Sequence, residues 1–150
     1  MINIRVLADT PHLETVAGWL HAEWWRHDGW TPDATIDFLL AATGPAAPIS
    51  FVAEIDGAPA GHALLDIDDL ASRRELTPWL ASVLVAPDLR NRGVGRALAS
   101  RVVATARGLG HAVLWAHTST ALAYWQHFGF VAVGEDSWAG GPTTLLRLDL

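Results

Sequence analysis

Apolar and polar residues alternate over residues 2–7, where Ile2, Ile4 and Val6 point one way and Asn3 and Arg5 the other, the mark of a strand with one buried face. The period then changes. Leu13, Val16, Ala17, Leu20 and Trp24 fall at helical spacing and predict a helix over residues 11–25, opened by Asp9-Thr10-Pro11 and ended by Asp28-Gly29. Thr31-Pro32-Asp33 starts a second helix, carried by Ile36, Phe38, Leu39 and Leu40 and stopped near Gly44-Pro45. Apolar runs over 49–55 and 58–67, joined by Asp56-Gly57, predict an antiparallel hairpin, and if the second strand persists Asp66 and Asp68 share a face. A polar loop covers 69–77, and a fourth apolar strand covers 79–85. Beyond Ala86-Pro87-Asp88 and a short glycine-containing loop, an alanine-rich helix runs to Gly108. A fifth strand over 111–116 follows, parallel to the fourth by the right-handed crossover rule. Ser119 or Thr120 caps a short helix over 121–127, and Phe128-Gly129-Phe130 turns into a sixth strand ending near Glu135. Gly140-Gly141-Pro142 reads as a loop, and 143–148 as a last strand pairing back on the sixth. No linker or repeat divides the chain, so residues 1–150 read as one mixed α/β domain, with a mostly antiparallel seven-stranded sheet and about four helices.

The loop before the alanine-rich helix brings in chemistry. Arg90-Asn91-Arg92-Gly93-Val94-Gly95-Arg96 places glycines and three arginines at a helix start, where unpaired backbone N–H groups and the helix dipole favour an anion. The surroundings make this loop stand out, because the formal charge of the chain is −6. That balance argues against general affinity for nucleic acid or anionic membrane and favours a cationic small molecule or basic peptide end. Cysteine is absent, which excludes disulfides, thiolate metal sites and cysteine nucleophiles. No basic leader or membrane-length apolar run is visible, so the expected location is cytoplasmic.

Two glycine-loop families fail on residues. A P-loop needs Lys and then Ser or Thr after its last glycine, where this chain has Arg96-Ala97. A dinucleotide fingerprint needs Gly or Ala where Leu98 stands. The order of elements, together with Arg90-x-x-Gly93-x-Gly95 after Val83-Leu84-Val85-Ala86-Pro87, resembles the GNAT superfamily of acyl-CoA-dependent N-acyltransferases. The run from Ala121 through Tyr124 to Gly129-Phe130 resembles that family's A-x-x-x-Y-x-x-x-G-F segment.

The resemblance implies acetyl-CoA as cosubstrate, its pyrophosphate on the backbone from Arg92 to Arg96 with Arg90 and Asn91 alongside. It also implies a sheet splayed between strands four and five. Pantetheine would pair there with Val83, Leu84 and Val85, and a backbone N–H of strand four would hold the acyl oxygen. Tyr124, the only tyrosine, matches the residue that can protonate the departing thiolate. His117 replaces a frequent asparagine on the pantetheine side and adds a titratable group.

A base for the incoming amine is less marked; His62, Glu75, Asp66, Asp68 and His117 are candidates. The remaining histidines lack metal-ligand spacing, and no metal site is expected. Of the eight tryptophans, Trp19 and Trp24 read as core, and Trp25, Trp30 and Trp79 as walls of an acceptor cleft. Aromatic and acidic groups there would suit an organic cation. The expectation is direct acetyl transfer to a small primary amine, with a peptide N-terminus or lysine as second choice. A catalytically silent CoA sensor is the alternative class, and the assembly is expected to be monomer or homodimer.

Overall fold

A computed structural model describes residues 1–150. The chain runs β1 (Ile2–Val6), α1 (Leu13–Glu23), α2 (Pro32–Ala41), β2 (Ile49–Ile55), β3 (Ala58–Asp66), β4 (Trp79–Val85), α3 (Val94–Gly108), β5 (Val113–Thr118), α4 (Leu122–Phe128), β6 (Val131–Trp138) and β7 (Gly141–Asp149). Seven strands form one sheet in the order β1-β2-β3-β4-β5-β7-β6. All neighbours are antiparallel except β4 and β5. The last strand does pair with β6, but it also inserts beside β5, which places the β6–β7 hairpin at the sheet edge.

Both faces of the central strands are covered, which is why β2 and β3 read as nearly continuous apolar runs. Phe51, Ala53, Leu65 and Leu80 face α3, whose Val94, Leu98, Ala99, Val102, Val103 and Ala106 form its buried stripe. Val52, Leu64, Ala81 and Trp79 face the other way, onto Val16, Ala17 and Leu20 of α1 and Leu39 of α2. Each fully buried Leu or Val contributes about 1.5–3 kcal/mol, so these two layers fix where β4 must lie.

Several boundaries shift, each for a local reason. The first helix ends at Glu23 rather than near residue 25, because Trp24 leaves helical geometry and Trp25–Asp28 forms a 3-10 turn closed by Gly29 at φ 82°. Pro11 stays outside the helix, in a turn where Thr10 Oγ1 accepts from the N–H of His12. Thr31 does cap the second helix, accepting from the N–H of Ala34. The cap of α4 is not Ser119 or Thr120: β5 runs on to Thr118, whose hydroxyl accepts from the N–H of Ala121. Gly141 and Pro142, read as loop, belong to β7, because Ala139 and Gly140 alone make the turn with φ of 51° and 77°. β3 ends at Asp66, so Asp68 does not share its face.

Two departures from regular pairing shape the centre of the sheet. β4 and β5 meet at the single register pair Trp79–Trp115 and then part. On the other side of β4, His62 pairs with Leu84 and Leu64 with Ala81, so Ser82 and Val83 together oppose Ala63. This is a β-bulge, and Ser82 sits in it at φ 51°.

Candidate active site

The C-terminal half of β4 and the loop after it border a cavity of about 670 Å³ lined by Val83, Leu84, Val85, Arg90, Asn91, Gly93, Val94, Gly95, Arg96 and Tyr124. The sequence-predicted cradle is therefore assembled in space, apart from Arg92, which is exposed and does not line it. Glycine at the helix start explains the cradle's chemistry. Gly93, at φ 81°, offers no capping side chain, and the first bond of α3 is donated by Ala97 to Gly93. The N–H groups of Val94, Gly95 and Arg96 thus point out of the helix end, in an environment that favours an anion.

Tyr124 stands over this turn. A Cβ on Gly95 would lie 3.0 Å from its Oη, so any larger residue there would push the phenol aside. The ring packs edge-on against Trp125, with centroids 4.9 Å apart. Burial raises the phenol above its ordinary pKa, opposed by the charge of Arg96, so it is protonated at neutral pH.

A second cavity, of about 360 Å³, adjoins the first through Glu23, Trp24, Val83, Ala121 and Trp125, which line both. Its walls include Trp25, Asp28, Asp69, Ser82, His117, Thr118 and Trp138. Apart from the histidine, the lining holds no basic side chain, while Glu23, Asp28 and Asp69 give it negative potential. The bulge residues Ser82 and Val83 stand where the two cavities meet.

What holds the bulge is a buried histidine. Burial lowers the pKa of His62 to about 4, partly opposed by the backbone of Ser82, so the ring is neutral. Its Nδ1 lies 2.8 Å from the Ser82 carbonyl and its Nε2 lies 2.7 Å from Ser50 Oγ. The carbonyl can only accept, so Nδ1–H donates to it and Nε2 accepts from Ser50. From the cavity side, Trp25 Nε1 donates to Ser82 Oγ at 2.9 Å. Left-handed backbone at a serine costs energy, and these two bonds hold it there.

The candidate bases separate cleanly. His62 is fully buried and structural, lining neither cavity. Glu75 is exposed and Asp68 faces Arg74 at 3.8 Å; both lie off the cavities. Asp66 also lines neither, but burial, and then the charge of Asp69, push its pKa up to about 7. His117 does reach a cavity, the smaller one, which β4 and β5 line together where they part.

The tryptophans sort differently from expectation. Trp24, read as core, walls both cavities, because the helix breaks at it. Trp79, read as cleft, is fully buried and donates to Leu76 O, since its side of β4 packs on α1 and α2. Trp30 packs edge-on against Phe38 and lines neither cavity. Trp19 packs against the core as expected, partly buried. Asp69, Glu23, Asp28 and Trp138 were missed. Asp69 lies in a stretch with no periodicity, and Trp138 in residues read as lying beyond the sixth strand.

A sheet parted beside its fourth strand and an uncapped glycine-started helix below it form the scaffold that the resemblance of the sequence implied. The chain belongs to the GNAT acetyltransferase family, whose family model matches residues 8–130. Among solved structures it is similar to YncA of Salmonella typhimurium, solved with its cofactor acetyl-CoA (21% identity, TM-score 0.74, covering 99% of this chain and 94% of that one). It is likewise similar to an N-acetyltransferase of Staphylococcus aureus (19% identity, TM-score 0.75, 99% and 98% covered). A third is an aminoglycoside 6'-N-acetyltransferase complexed with coenzyme A (13% identity, TM-score 0.76, 99% and 96% covered). No curated protein matches the chain. No helix is long and apolar enough to cross a membrane, and no three side chains of the ligating types group to hold a metal.

Proposed function

We propose that the protein transfers an acetyl group from acetyl-CoA directly to a primary amine of a small cationic molecule. One observation carries the reading: an anion cradle and an indole-walled acidic cavity meet at the strained bulge of β4. Acetyl-CoA supplies an activated acyl thioester. The free N–H groups of Val94, Gly95 and Arg96 bind its pyrophosphate, with Arg90 and Asn91 beside them. The parted edge of β4 at Val83, Leu84 and Val85 pairs with the pantetheine arm, and a backbone N–H of the bulge stabilises the acyl oxygen. Tyr124, protonated at neutral pH, gives its proton to the departing thiolate. Indole faces and carboxylates of the smaller cavity hold the ammonium form of the acceptor. With no cysteine in the chain, a cysteinyl acyl-enzyme is excluded and the amine attacks directly.

Thiol release from acetyl-CoA, measured with butylamine, 1,4-diaminobutane, tryptamine, an aminoglycoside, an amino acid and a tripeptide, tests the reading. The chain has ten arginines and no lysine, so amide-linked acetyl found by mass spectrometry lies on the added amine or on the chain's own N-terminus. Turnover with a small cationic amine and not with the tripeptide supports the proposal. Preference for the tripeptide moves it to peptide acetylation, and tight acetyl-CoA binding with no turnover across the panel makes the protein a sensor.

A further inference from the structure

His117 is held on both ring nitrogens. Nδ1 lies 2.8 Å from Thr143 Oγ1 and Nε2 lies 3.1 Å from Asp69 Oδ2. The ring also packs edge-on against buried Trp79, with centroids 6.0 Å apart, and its orientation is fixed. Its three partners come from distant parts of the chain: Asp69 from the β3–β4 loop, Thr143 from β7 and Trp79 from β4. The loop is itself tied down, since Arg73 Nε donates to Asp136 Oδ2 of β6 at 2.8 Å. Asp69 and His117 line the smaller cavity, as do Ser82 and Val83 of the bulge. Thr143 is almost fully buried, and His117 is the one partner of its hydroxyl.

We infer that His117 takes the proton from the acceptor's ammonium, that Asp69 seats that ammonium, and that Thr143 is the positioning residue that lets the ring change state. The chemistry follows from the donor and acceptor inventory. A threonine hydroxyl can donate to a bare Nδ1 or accept from an Nδ1–H. The ring can therefore present either N–H or a lone pair at Nε2 without moving. In the free protein, Nε2–H donates to the Asp69 carboxylate and Thr143 donates to Nδ1. An ammonium seated on Asp69 neutralises that carboxylate and offers its own N–H to the ring, which favours the other tautomer, with Nδ1–H on Thr143 and the Nε2 lone pair facing the ammonium. One N–H bond of the ammonium then breaks, one N–H bond forms at Nε2, and the electron pair left on nitrogen is the nucleophile. The imidazolium, bonded to Asp69 and Thr143, returns its proton to water after transfer.

Other charged groups face this ring. Asp66 stands behind Asp69, Glu23 and Asp28 lie across the cavity, and Asp28 accepts from Trp138 Nε1 at 3.1 Å. The ring of His27 lies edge-on to Trp138, with centroids 5.8 Å apart. Asp66 titrates near neutrality, so it is the control that separates a base from a neighbour.

The assignment rests on acetyl transfer to an amine, and the test separates the two. With 1,4-diaminobutane and an aminoglycoside as probe amines, H117Q should lower kcat by about 100-fold or more. It should leave KM for acetyl-CoA unchanged and remove the acidic limb of the kcat/KM profile, whereas D66N keeps that limb. D69N should raise KM for the amine, T143V should lower kcat, and T143S should restore it. An H117Q enzyme with the limb intact, or a limb lost in D66N, overturns the proposal while leaving acetyl transfer standing. If neither probe turns over, imidazole nitrogen NMR still decides: the free protein should carry the His117 proton on Nε2, and that preference should be lost in D69A. A proton on Nδ1 in the free protein, or an unchanged preference in D69A with unfolding midpoints alike, refutes it.

Discussion

His62 is the residue whose replacement tests how the site is built. His62→Leu removes the donor to the Ser82 carbonyl, which is partly buried, and the acceptor for Ser50 Oγ, which is fully buried. An orphaned buried group costs about 1–3 kcal/mol, so the loss near neutral pH should be at least about 1–3 kcal/mol. The titration of the ring gives a second, sharper signature. Its pKa falls from 6.5 to about 4 on folding, because burial disfavours the charged form. Between those values the unfolded chain binds a proton that the native protein does not, so stability falls as pH falls. The slope is about 1.4 kcal/mol per pH unit, and the full loss between the two values is about 3 kcal/mol. Stability from this group is complete above pH 6.5 and gone below about pH 4. Urea unfolding between pH 7.5 and 4.5, compared for wild type and His62→Gln, isolates the term. Glutamine can still donate to Ser82 but does not titrate, which covers the case in which His62→Leu fails to fold. Wild type should lose stability on acidification more steeply than H62Q. Parallel curves would refute both the neutral buried ring and its role in holding the bulge.

Three further perturbations address other parts of the molecule. Tyr124→Phe should lower kcat about 100-fold with KM for acetyl-CoA little changed, and since burial raises the phenol, wild-type rates should not fall on the alkaline side before pH 10.0. Unchanged turnover in steady-state thiol release would remove the acid role. In Gly61→Ala, the new Cβ would lie 2.7 Å from the Leu84 carbonyl and 3.1 Å from Leu98 Cδ1 and Val94 Cγ1. Urea midpoints should report a loss of about 1–3 kcal/mol, as for an overpacked core. Trp25→Phe keeps an aromatic wall but loses the bond to Ser82 Oγ. It should cost about 1 kcal/mol in urea unfolding and raise KM for the amine, and an unchanged KM would detach Trp25 from the acceptor site.

The chain's local signals were enough for the scaffold. Alternation in 2–7, the Asp-Gly turn at 56–57 and the glycine-started helix each act over a few residues, so they are legible without a fold. The same holds for the cradle, because Arg90, Gly93, Gly95 and Arg96 are neighbours in sequence, and for Tyr124, marked by its own motif. What sequence alone could not settle was any property that depends on which face meets which layer. His62 and His117 are both strand histidines, yet one is fully buried and the other opens on a cavity. Trp24 and Trp79 exchanged roles because a helix end and a strand face, not composition, decide exposure. The bulge at Ser82 arises from register between β3 and β4, a relation between strands rather than a property of either. Asp69 and Thr143 are 74 residues apart and meet only through His117. Local propensity is written in the chain, whereas the contacts that wall the smaller cavity are made by packing between elements distant in sequence.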